Sequence, residues 1–335
     1  MTDAARSNLL GAATALAGFA LFAVHDVTVK VLGGSYAPFQ IVFFNVLFAF
    51  PLATVMLMRE TAPGTLRPVH PWWTALRTGA ALAVGVSAFY AFSTLPLAQV
   101  YAIIFAAPLI ITVLSIPILG ERVGAHRWAA VAVGLIGVLV VLRPGAQSLG
   151  LGHLAALVAA VGSATASVIV RKIGRDERSA VLMLYPMVAN VAAMAAILPF
   201  VYRPMPLVDL GWSALAAVLA FIAGLCMIAA YRRADAAVVA PMQYSQILWA
   251  ALFGALFFDE RPDTWTWVGA GIVILSGLYI VVRESVVGVS RHTPVLETKS
   301  RPETGTMPRI SAMLRARSTA IPPGYEALAK DRRSD

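Results

Sequence analysis

Three ionisable side chains lie close together inside a long apolar stretch near the start of the chain. They are His25, Asp26 and Lys30, within residues 8–32. Asp26 and Lys30 are four residues apart, which on an α-helix places both on one face within pairing distance. A structural ion pair, contact with a charged ligand and proton transfer are all open for them. His25 adds a side chain type that titrates near neutral pH, with a hydrogen bond to the backbone as the alternative.

A second polar group lies in the apolar stretch 236–258. Gln243 and Gln246 are three residues apart, Trp249 continues the same helical face, and Tyr244 lies beside it. Amide groups and flat aromatic faces suit a heteroaromatic or amino-acid-like ligand, because a pocket orients its ligand with a few polar groups in an apolar lining. The alternative is that the two glutamines form hydrogen bonds between helices.

The composition shows which solvent surrounds these groups. Of 335 residues, 59% are hydrophobic and 13% are charged, against roughly 25% charged in a soluble domain. The mean hydropathy of +0.78 is spread over residues 8–283. A soluble protein, a signal peptide and a single membrane anchor are therefore all excluded, and the sequence predicts a polytopic membrane protein.

Apolar stretches long enough to cross a bilayer core of ~30 Å recur along the chain. Gly and Pro residues separate them, and the connecting loops are short, so the helices must alternate in direction and pack as one bundle. The ten predicted transmembrane helices are 8–32, 39–58, 72–95, 98–119, 127–142, 151–171, 180–201, 211–231, 236–258 and 264–282.

The basic residues predict the orientation. Before residue 284, four of the seventeen Lys and Arg residues fall on one side of the predicted bundle: Lys30, Arg143, Arg203 and Arg261. The other thirteen fall on the opposite side, which the positive-inside rule makes cytoplasmic. Both termini are then cytoplasmic. Residues 1–7 form a short N-terminal segment, and residues 284–335 are predicted to be a disordered basic tail.

The chain contains an internal duplication. A shift of 139 residues aligns Trp73-Thr-Ala-Leu with Trp212-Ser-Ala-Leu, Glu121-Arg with Glu260-Arg, and Trp128 with Trp267. The two repeats are 8–142 and 151–283, each with five helices. An odd number of helices in each repeat inverts the second copy, an arrangement typical of transporters.

The end of each fourth helix resembles a known family. The run 98–121, with Pro108 inside it and Leu-Gly-Glu-Arg at 119–122, resembles the EamA family of the drug/metabolite transporter superfamily. The second copy, 237–261, is similar, with Phe-Asp-Glu at 258–260 and Ile247 in place of the proline. This resemblance implies an all-α integral membrane protein, with ten transmembrane helices in two inverted five-helix repeats around a central cavity. The fifth and tenth helices are then peripheral.

The resemblance also places the third, fourth and ninth helices at that cavity. It therefore adds Tyr90, Gln99 and Tyr101 to the substrate-binding candidates, beside Gln243, Tyr244, Gln246 and Trp249. Hydrogen bonding between helices is the alternative for each, and also for the amides Gln40, Asn45 and Asn190. Glu121 and Glu260 lie in turns and each precedes an arginine, so a salt bridge or a helix cap is expected there.

The predicted function is secondary transport of a small polar or amphipathic metabolite, riboflavin-like, amino-acid-like or drug-like. Alternating access with proton coupling or exchange is expected, because the sequence has no phosphate-binding loop. A membrane receptor or assembly factor is the alternative. An enzyme is disfavoured because the sequence lacks His-Glu-x-x-His and Gly-x-Ser-x-Gly motifs. Both import and export suit a site that faces each side in turn.

The expected partners follow from the same features. They are a small-molecule substrate and the lipid bilayer, with a homodimer as a further candidate, and the expected location is the bacterial inner membrane. No cofactor or metal is expected. The single cysteine, Cys226, lies in an apolar run and fits a buried small side chain. Nucleic acid is a poor partner because the basic tail has few aromatic residues.

Overall fold

The described part of the chain is helical. The computed structural model describes residues 3–58, 65–121, 123–145, 149–174, 176–234 and 236–285. The predicted N-terminal segment is described from Asp3, where the first helix already begins. The predicted tail lies outside the described residues from residue 286 onward.

Twelve α-helices make up the described elements, and one 3-10 turn, Ala240–Tyr244, lies between the tenth and the eleventh. In chain order they are α1 (Asp3–Gly33), α2 (Pro38–Met58), α3 (Pro71–Thr94), α4 (Leu97–Ile104), α5 (Ala107–Leu119), α6 (Ala125–Leu142), α7 (Leu151–Ile173), α8 (Ser179–Val201), α9 (Leu207–Arg233), α10 (Ala236–Val239), α11 (Ser245–Phe258) and α12 (Thr264–Ser285).

These helices confirm the predicted fold class. Nine stretches of the described residues are long and apolar enough to cross a membrane, and each overlaps one predicted helix. The predicted ninth helix is divided into α10, the 3-10 turn and α11. The protein is therefore an all-α multi-pass membrane protein. Its fourth span consists of α4 with α5, and its ninth span consists of α10, the turn and α11.

The fourth and ninth spans are interrupted at equivalent positions. In the fourth span α4 ends at Ile104 and α5 begins at Ala107. Pro108 has no N–H to donate to the carbonyl group four residues earlier, which explains this break. In the ninth span Pro241 lies at the start of the 3-10 turn. This break occurs although the residue equivalent to Pro108 is Ile247.

The two repeats interlock through their first and third spans. Helix α1 packs along α9, and α7 packs along α3, so each repeat's first helix lies against the other repeat's third. The fifth and tenth spans, α6 and α12, pack against each other. The largest cluster of buried side chains includes Phe92, Tyr101, Phe105, Tyr244 and Ile247. This core lies around the two interrupted spans. The central cavity that the EamA resemblance implies stays a prediction.

Glycine permits the close approach of α6 and α12. A Cβ atom added to Gly269 on α12 would lie 2.6 Å from the backbone oxygen of Gly137 on α6. That distance is too short for any side chain, so the two backbones are in direct contact. Small residues at helix crossings are how membrane helices gain packing contacts when lipid is as apolar as the protein.

Candidate substrate-binding network

Asp26 is a buried carboxylate that contacts two other polar side chains. It is buried on α1, with 1% of its surface exposed. Its Oδ1 atom lies 2.7 Å from Nδ1 of His25, and its Oδ2 atom accepts a hydrogen bond from the hydroxyl group of Tyr101 on α4. Two donors therefore hold the carboxylate in an apolar interior, where such bonds are strong and an unmet one is costly.

The contacts of Asp26 extend to two further spans. Nδ2 of Asn45 on α2 lies 3.1 Å from Nε2 of His25, and Nε2 of Gln246 on α11 donates to the Tyr101 hydroxyl oxygen over 3.0 Å. We call these five side chains the polar network: His25, Asp26, Asn45, Tyr101 and Gln246. It connects four spans and crosses from one repeat to the other.

His25 contacts two network side chains through its two ring nitrogens. Nδ1 faces a carboxylate oxygen of Asp26, and Nε2 faces the side-chain amide of Asn45. In the tautomer that donates from Nδ1 to the carboxylate, Nε2 accepts from the Asn45 amide.

Aromatic rings surround the network. The ring of Tyr101 lies 5.5 Å from that of Phe92 and 5.7 Å from that of Phe105, measured between centroids. The ring of His25 lies edge-on to Phe89 at 6.0 Å. Tyr244 lies edge-on to Phe105. The polar atoms are therefore set in an apolar aromatic wall, the combination that small-molecule sites use.

Gln246 carries a buried acceptor that is unpaired within the described part of the chain. The residue is 0% exposed, and its Oε1 atom has no hydrogen-bond partner in the part of the chain that the structure describes. The same holds for the indole Nε1 atom of Trp249, one turn further along α11. A buried polar atom without a partner carries a desolvation cost. A ligand with complementary donor and acceptor groups would remove that cost.

Lys30 forms an ion pair across the two repeats. Its Nζ atom lies 2.6 Å from Oε1 of Glu260 and 2.5 Å from the backbone oxygen of Leu95, and it lies over the ring of Phe258. Sequence reasoning considered only Asp26 as its partner, and that pairing stays a prediction. The salt bridge and cap expected at Glu260 are present, since its Oε2 atom also accepts from the N–H group of Leu97.

The duplicated sequence matches one family twice. The EamA-like transporter family matches residues 9–143 and again residues 150–283. The chain belongs to the EamA-like transporter family. The two matches together cover nearly the whole membrane part, so the EamA resemblance of the fourth and ninth spans is confirmed.

Named transporters are among the relatives of this EamA protein. A riboflavin transporter of Rhizobium johnstonii is 28% identical over 71% of this chain and 78% of its own. An S-adenosylmethionine uptake transporter of Rickettsia prowazekii is 26% identical over 87% of this chain and 99% of its own. A solved crystal structure is 18% identical, with a TM-score of 0.53 over 82% of this chain and 95% of that one. That last likeness shows the fold alone.

Some of the predicted site residues of the EamA protein lie apart from the network. Nε2 of Gln99 lies 3.2 Å from Nε2 of His153 on α7. Tyr90 is half-buried on α3, and Gln243 is half-buried on the 3-10 turn. The predicted continuous face of the ninth helix is thus divided, because Gln243 precedes the first turn of α11 while Gln246 and Trp249 lie on it.

The amides left open by the sequence take different roles. Gln40 is fully buried and binds the backbone of Arg203 twice, donating to its oxygen over 2.7 Å and accepting from its nitrogen over 2.9 Å. Asn190 donates to the backbone oxygen of Pro186 on its own helix. Asn45 is the network member that was placed neither among the substrate-binding candidates nor among the ion-pair and proton-coupling candidates. It lies on a different helix, 20 residues after His25, and no local spacing indicated that the two would meet.

Proposed function

We propose that this EamA protein is a secondary transporter that binds a small polar or amphipathic metabolite at the polar network and moves it by alternating access. The supporting observation is the network itself. Five buried polar side chains from four spans meet beside the two interrupted spans, and both repeats contribute. Discontinuous helices at a repeat interface are where transporters of inverted-repeat design bind substrates.

The chemistry of the network favours a flat substrate with hydrogen-bonding edges. The aromatic rings of Phe105 and Tyr244 lie beside the network, and the Oε1 atom of Gln246 has no hydrogen-bond partner among the described residues. Riboflavin and S-adenosylmethionine, which name two relatives, both carry heteroaromatic rings with polar edges. A heteroaromatic metabolite of this kind is the proposed substrate class for this chain.

Proton coupling is proposed at the His25 and Asp26 pair. The two side chains share a hydrogen bond in a dry environment, and histidine is the residue type whose charge changes near neutral pH. Protonation of the imidazole would force the Asn45 amide to rotate, and it would turn the His25–Asp26 contact into a charge-assisted pair that competes with Tyr101 for the carboxylate. Binding of a proton would therefore change the contacts of Tyr101 and Gln246, where the substrate is proposed to bind.

The proposed location is the bacterial inner membrane with both termini in the cytoplasm. The multi-pass fold and the bacterial relatives support the inner membrane. The orientation rests on the basic residues, which crowd one side of the bundle as the positive-inside rule requires of the cytoplasmic side.

Flux in proteoliposomes tests the proposal. Purified protein is reconstituted, and accumulation of labelled riboflavin, S-adenosylmethionine and aromatic amino acids is followed with and without an imposed pH gradient. Saturable accumulation of one compound, reduced in Asp26→Asn and unchanged in Asp263→Asn, is expected. Asp263 is a matched control because it is a partly exposed carboxylate paired with Arg143 at 2.5 Å, between α11 and α12. No flux and no binding for any of these compounds in folded protein would refute the proposed substrate class.

A further inference from the structure

Two ion pairs join the repeats in reciprocal fashion. At the end of α1, Lys30 pairs with Glu260 of the second repeat. At the end of α7, Arg171 pairs with Glu121 of the first repeat. Helices α1 and α7 are the first helices of their repeats, and Glu121 and Glu260 are 139 residues apart. The internal duplication has therefore produced the same cross-repeat contact twice.

The same local structure presents both glutamates. Gly120 and Asp259 follow α5 and α11 in the left-handed conformation, with φ angles of 72° and 52°. Aspartate is one of the few residues besides glycine that tolerates this conformation. The next residue in each case, Glu121 or Glu260, donates its N–H to a carbonyl group six residues earlier, an arrangement close to the Schellman termination. The end of the preceding helix therefore fixes the backbone position of each glutamate.

The two pairs lie at opposite ends of the bundle. Glu260 caps the first residue of the fourth span, Leu97, over 2.9 Å, and Glu121 follows its last helical residue, Leu119. The fourth span has 23 residues, which at the helical rise separates its ends by roughly 35 Å. The polar network, including Tyr101, lies between them. Each pair therefore stands between the network and one face of the membrane.

Both ion pairs are largely buried. Each joins a helix of one repeat to a turn of the other, and these two elements would have to separate before the polar network could be reached from that side. The side chains of Lys30 and Glu260 are 11% and 16% exposed, and those of Arg171 and Glu121 are 11% and 5% exposed. An ion pair is hard to break in a dry site, but water that enters an opening hydrates both charges, so a closed and an open form can be close in free energy. With both pairs formed, Asp26 is 1% and Gln246 is 0% exposed.

We propose that these two ion pairs are the gates of the transport path, and that they open one at a time. Opening Lys30–Glu260 exposes the polar network to the face at the end of α1. Opening Arg171–Glu121 exposes it to the opposite face. The present structure, with both pairs formed, is the occluded form. This inference rests on the proposed function, because gates are needed only if the polar network is reached from each face in turn.

Sided labelling of one cysteine tests the gates without any substrate. Replacing the only cysteine, Cys226→Ser, and introducing Asn45→Cys places a single thiol in the network. A membrane-impermeant maleimide is then applied to right-side-out and to inside-out membrane vesicles. In this parent protein, slow labelling is expected from both faces.

Neutralising one glutamate is expected to open one face only. Glu260→Gln removes the charge but keeps an oxygen that can accept from Leu97, and it should raise labelling from the Lys30 face about tenfold, within the ~5- to 150-fold range of ordinary conformational couplings. Glu121→Gln should do the same from the opposite face. Asp263→Asn, which breaks another cross-repeat ion pair beside α12, should leave both rates unchanged.

Variants of the partner residues keep the test decisive if a glutamate variant fails to fold. Lys30→Gln and Arg171→Gln break the same pairs from the other side, and Lys30→Glu combined with Glu260→Lys should restore slow labelling in part. The proposal is overturned if labelling rises equally from both faces, or from neither, in folded variants. Sided labelling without flux of any tested metabolite would refute the proposed substrate class and leave the gates standing, so the two failures are distinguishable.

Discussion

The aromatic rings of Phe105 and Tyr244 meet edge-on, with their centroids 5.2 Å apart and their planes at 78°. They are 139 residues apart in sequence, which is the spacing of the internal duplication, so they occupy the same position in the two repeats. Each marks the break in its span. Equivalent residues of the two repeats therefore contact each other directly, next to Tyr101 of the polar network.

Asp26→Asn is predicted to slow transport and to flatten its dependence on pH. Asparagine keeps the size of the side chain but replaces one oxygen with an amino group, which cannot accept from His25 or Tyr101. Uptake rates in proteoliposomes are measured over a pH series, with expression and monodispersity compared to wild type. A wild-type rate with a wild-type pH profile would show that Asp26 has a structural role and no role in transport.

Tyr101→Phe is predicted to lower both stability and substrate affinity. The ring keeps its packing against Phe92 and Phe105, but Asp26 loses a donor and Gln246 loses an acceptor, each buried. Leaving such a group unsatisfied costs about 1–3 kcal/mol. Thermal unfolding in detergent and the apparent substrate constant measure the two effects. Tyr90→Phe removes a phenol hydroxyl group outside the network, and equal losses in both variants would contradict the prediction.

Gln246→Ala is predicted to raise the apparent substrate constant. The variant removes the amide oxygen proposed to accept from the substrate, and one hydrogen bond is worth about 0.5–1.5 kcal/mol, or roughly two- to twelvefold in affinity. Concentration-dependent uptake gives the constant. Gln99→Ala is the matched control, since Gln99 is a buried amide that contacts His153 instead. Retained wild-type affinity in Gln246→Ala would remove α11 from the site.

Gly269→Ala is predicted to destabilise the contact of α6 with α12. The new methyl group would lie 2.6 Å from a backbone oxygen of Gly137, so the helices must separate, and overpacking of this kind costs about 1–3 kcal/mol. Gly271→Ala on the same helix meets nothing within 4 Å and gains helix propensity. The unfolding temperatures of the two variants should therefore move in opposite directions. A matching shift in both would argue against a tight crossing at Gly137.

The stability contributed by Asp263 is predicted to disappear in acid. Partial burial disfavours its charge, but hydrogen bonds from the side chain and backbone of Thr266, and then the Arg143 guanidinium, hold the pKa of Asp263 below its usual value. The contribution is then fully present above the ordinary aspartate pKa, about 3.9, and is lost as pH falls through the lowered value.

Unfolding temperatures of wild type and Asp263→Asn measured against pH test this sign. The wild type should be the more stable protein at neutral pH, by less than about 1 kcal/mol because the pair is partly exposed. The two curves should converge at the acid end. Divergence on acidification would mean that the carboxylate is not stabilised by Arg143 and Thr266.

The sequence predicted the fold from features that require no knowledge of three-dimensional contacts. Apolar length, the odd number of helices per repeat and the 139-residue shift follow from the order of the residues alone, and the structure confirms the all-α fold that they indicate. The break in the ninth span was less visible, because Ile247 replaces the proline that interrupts the fourth span. Pro241 lies six residues earlier, at the start of the 3-10 turn, so the equivalent break has a different sequence origin.

The contacts between residues of different repeats could not be predicted from the sequence. Residue type singled out His25, Asp26 and Gln246, since buried polar groups in apolar helices are conspicuous, and the family resemblance added Tyr101. Their mutual contacts depend on how α1, α4 and α11 cross, which no local spacing encodes. Lys30 shows the same limit. Its neighbour four residues earlier offered a partner, whereas the structure pairs it with Glu260, 230 positions later.

The position of Asp26 along α1 divides the membrane unequally. The residue lies seven positions before Gly33 and nineteen after Ser7, the ends of that span, or about 10 Å and about 29 Å along the helix. A proton that reaches Asp26 from the Ser7 end therefore crosses most of the transmembrane voltage, and one from the Gly33 end crosses little of it. Membrane potential should then shift the apparent proton affinity when Asp26 is open to the Ser7 side, and barely alter it when Asp26 is open to the other.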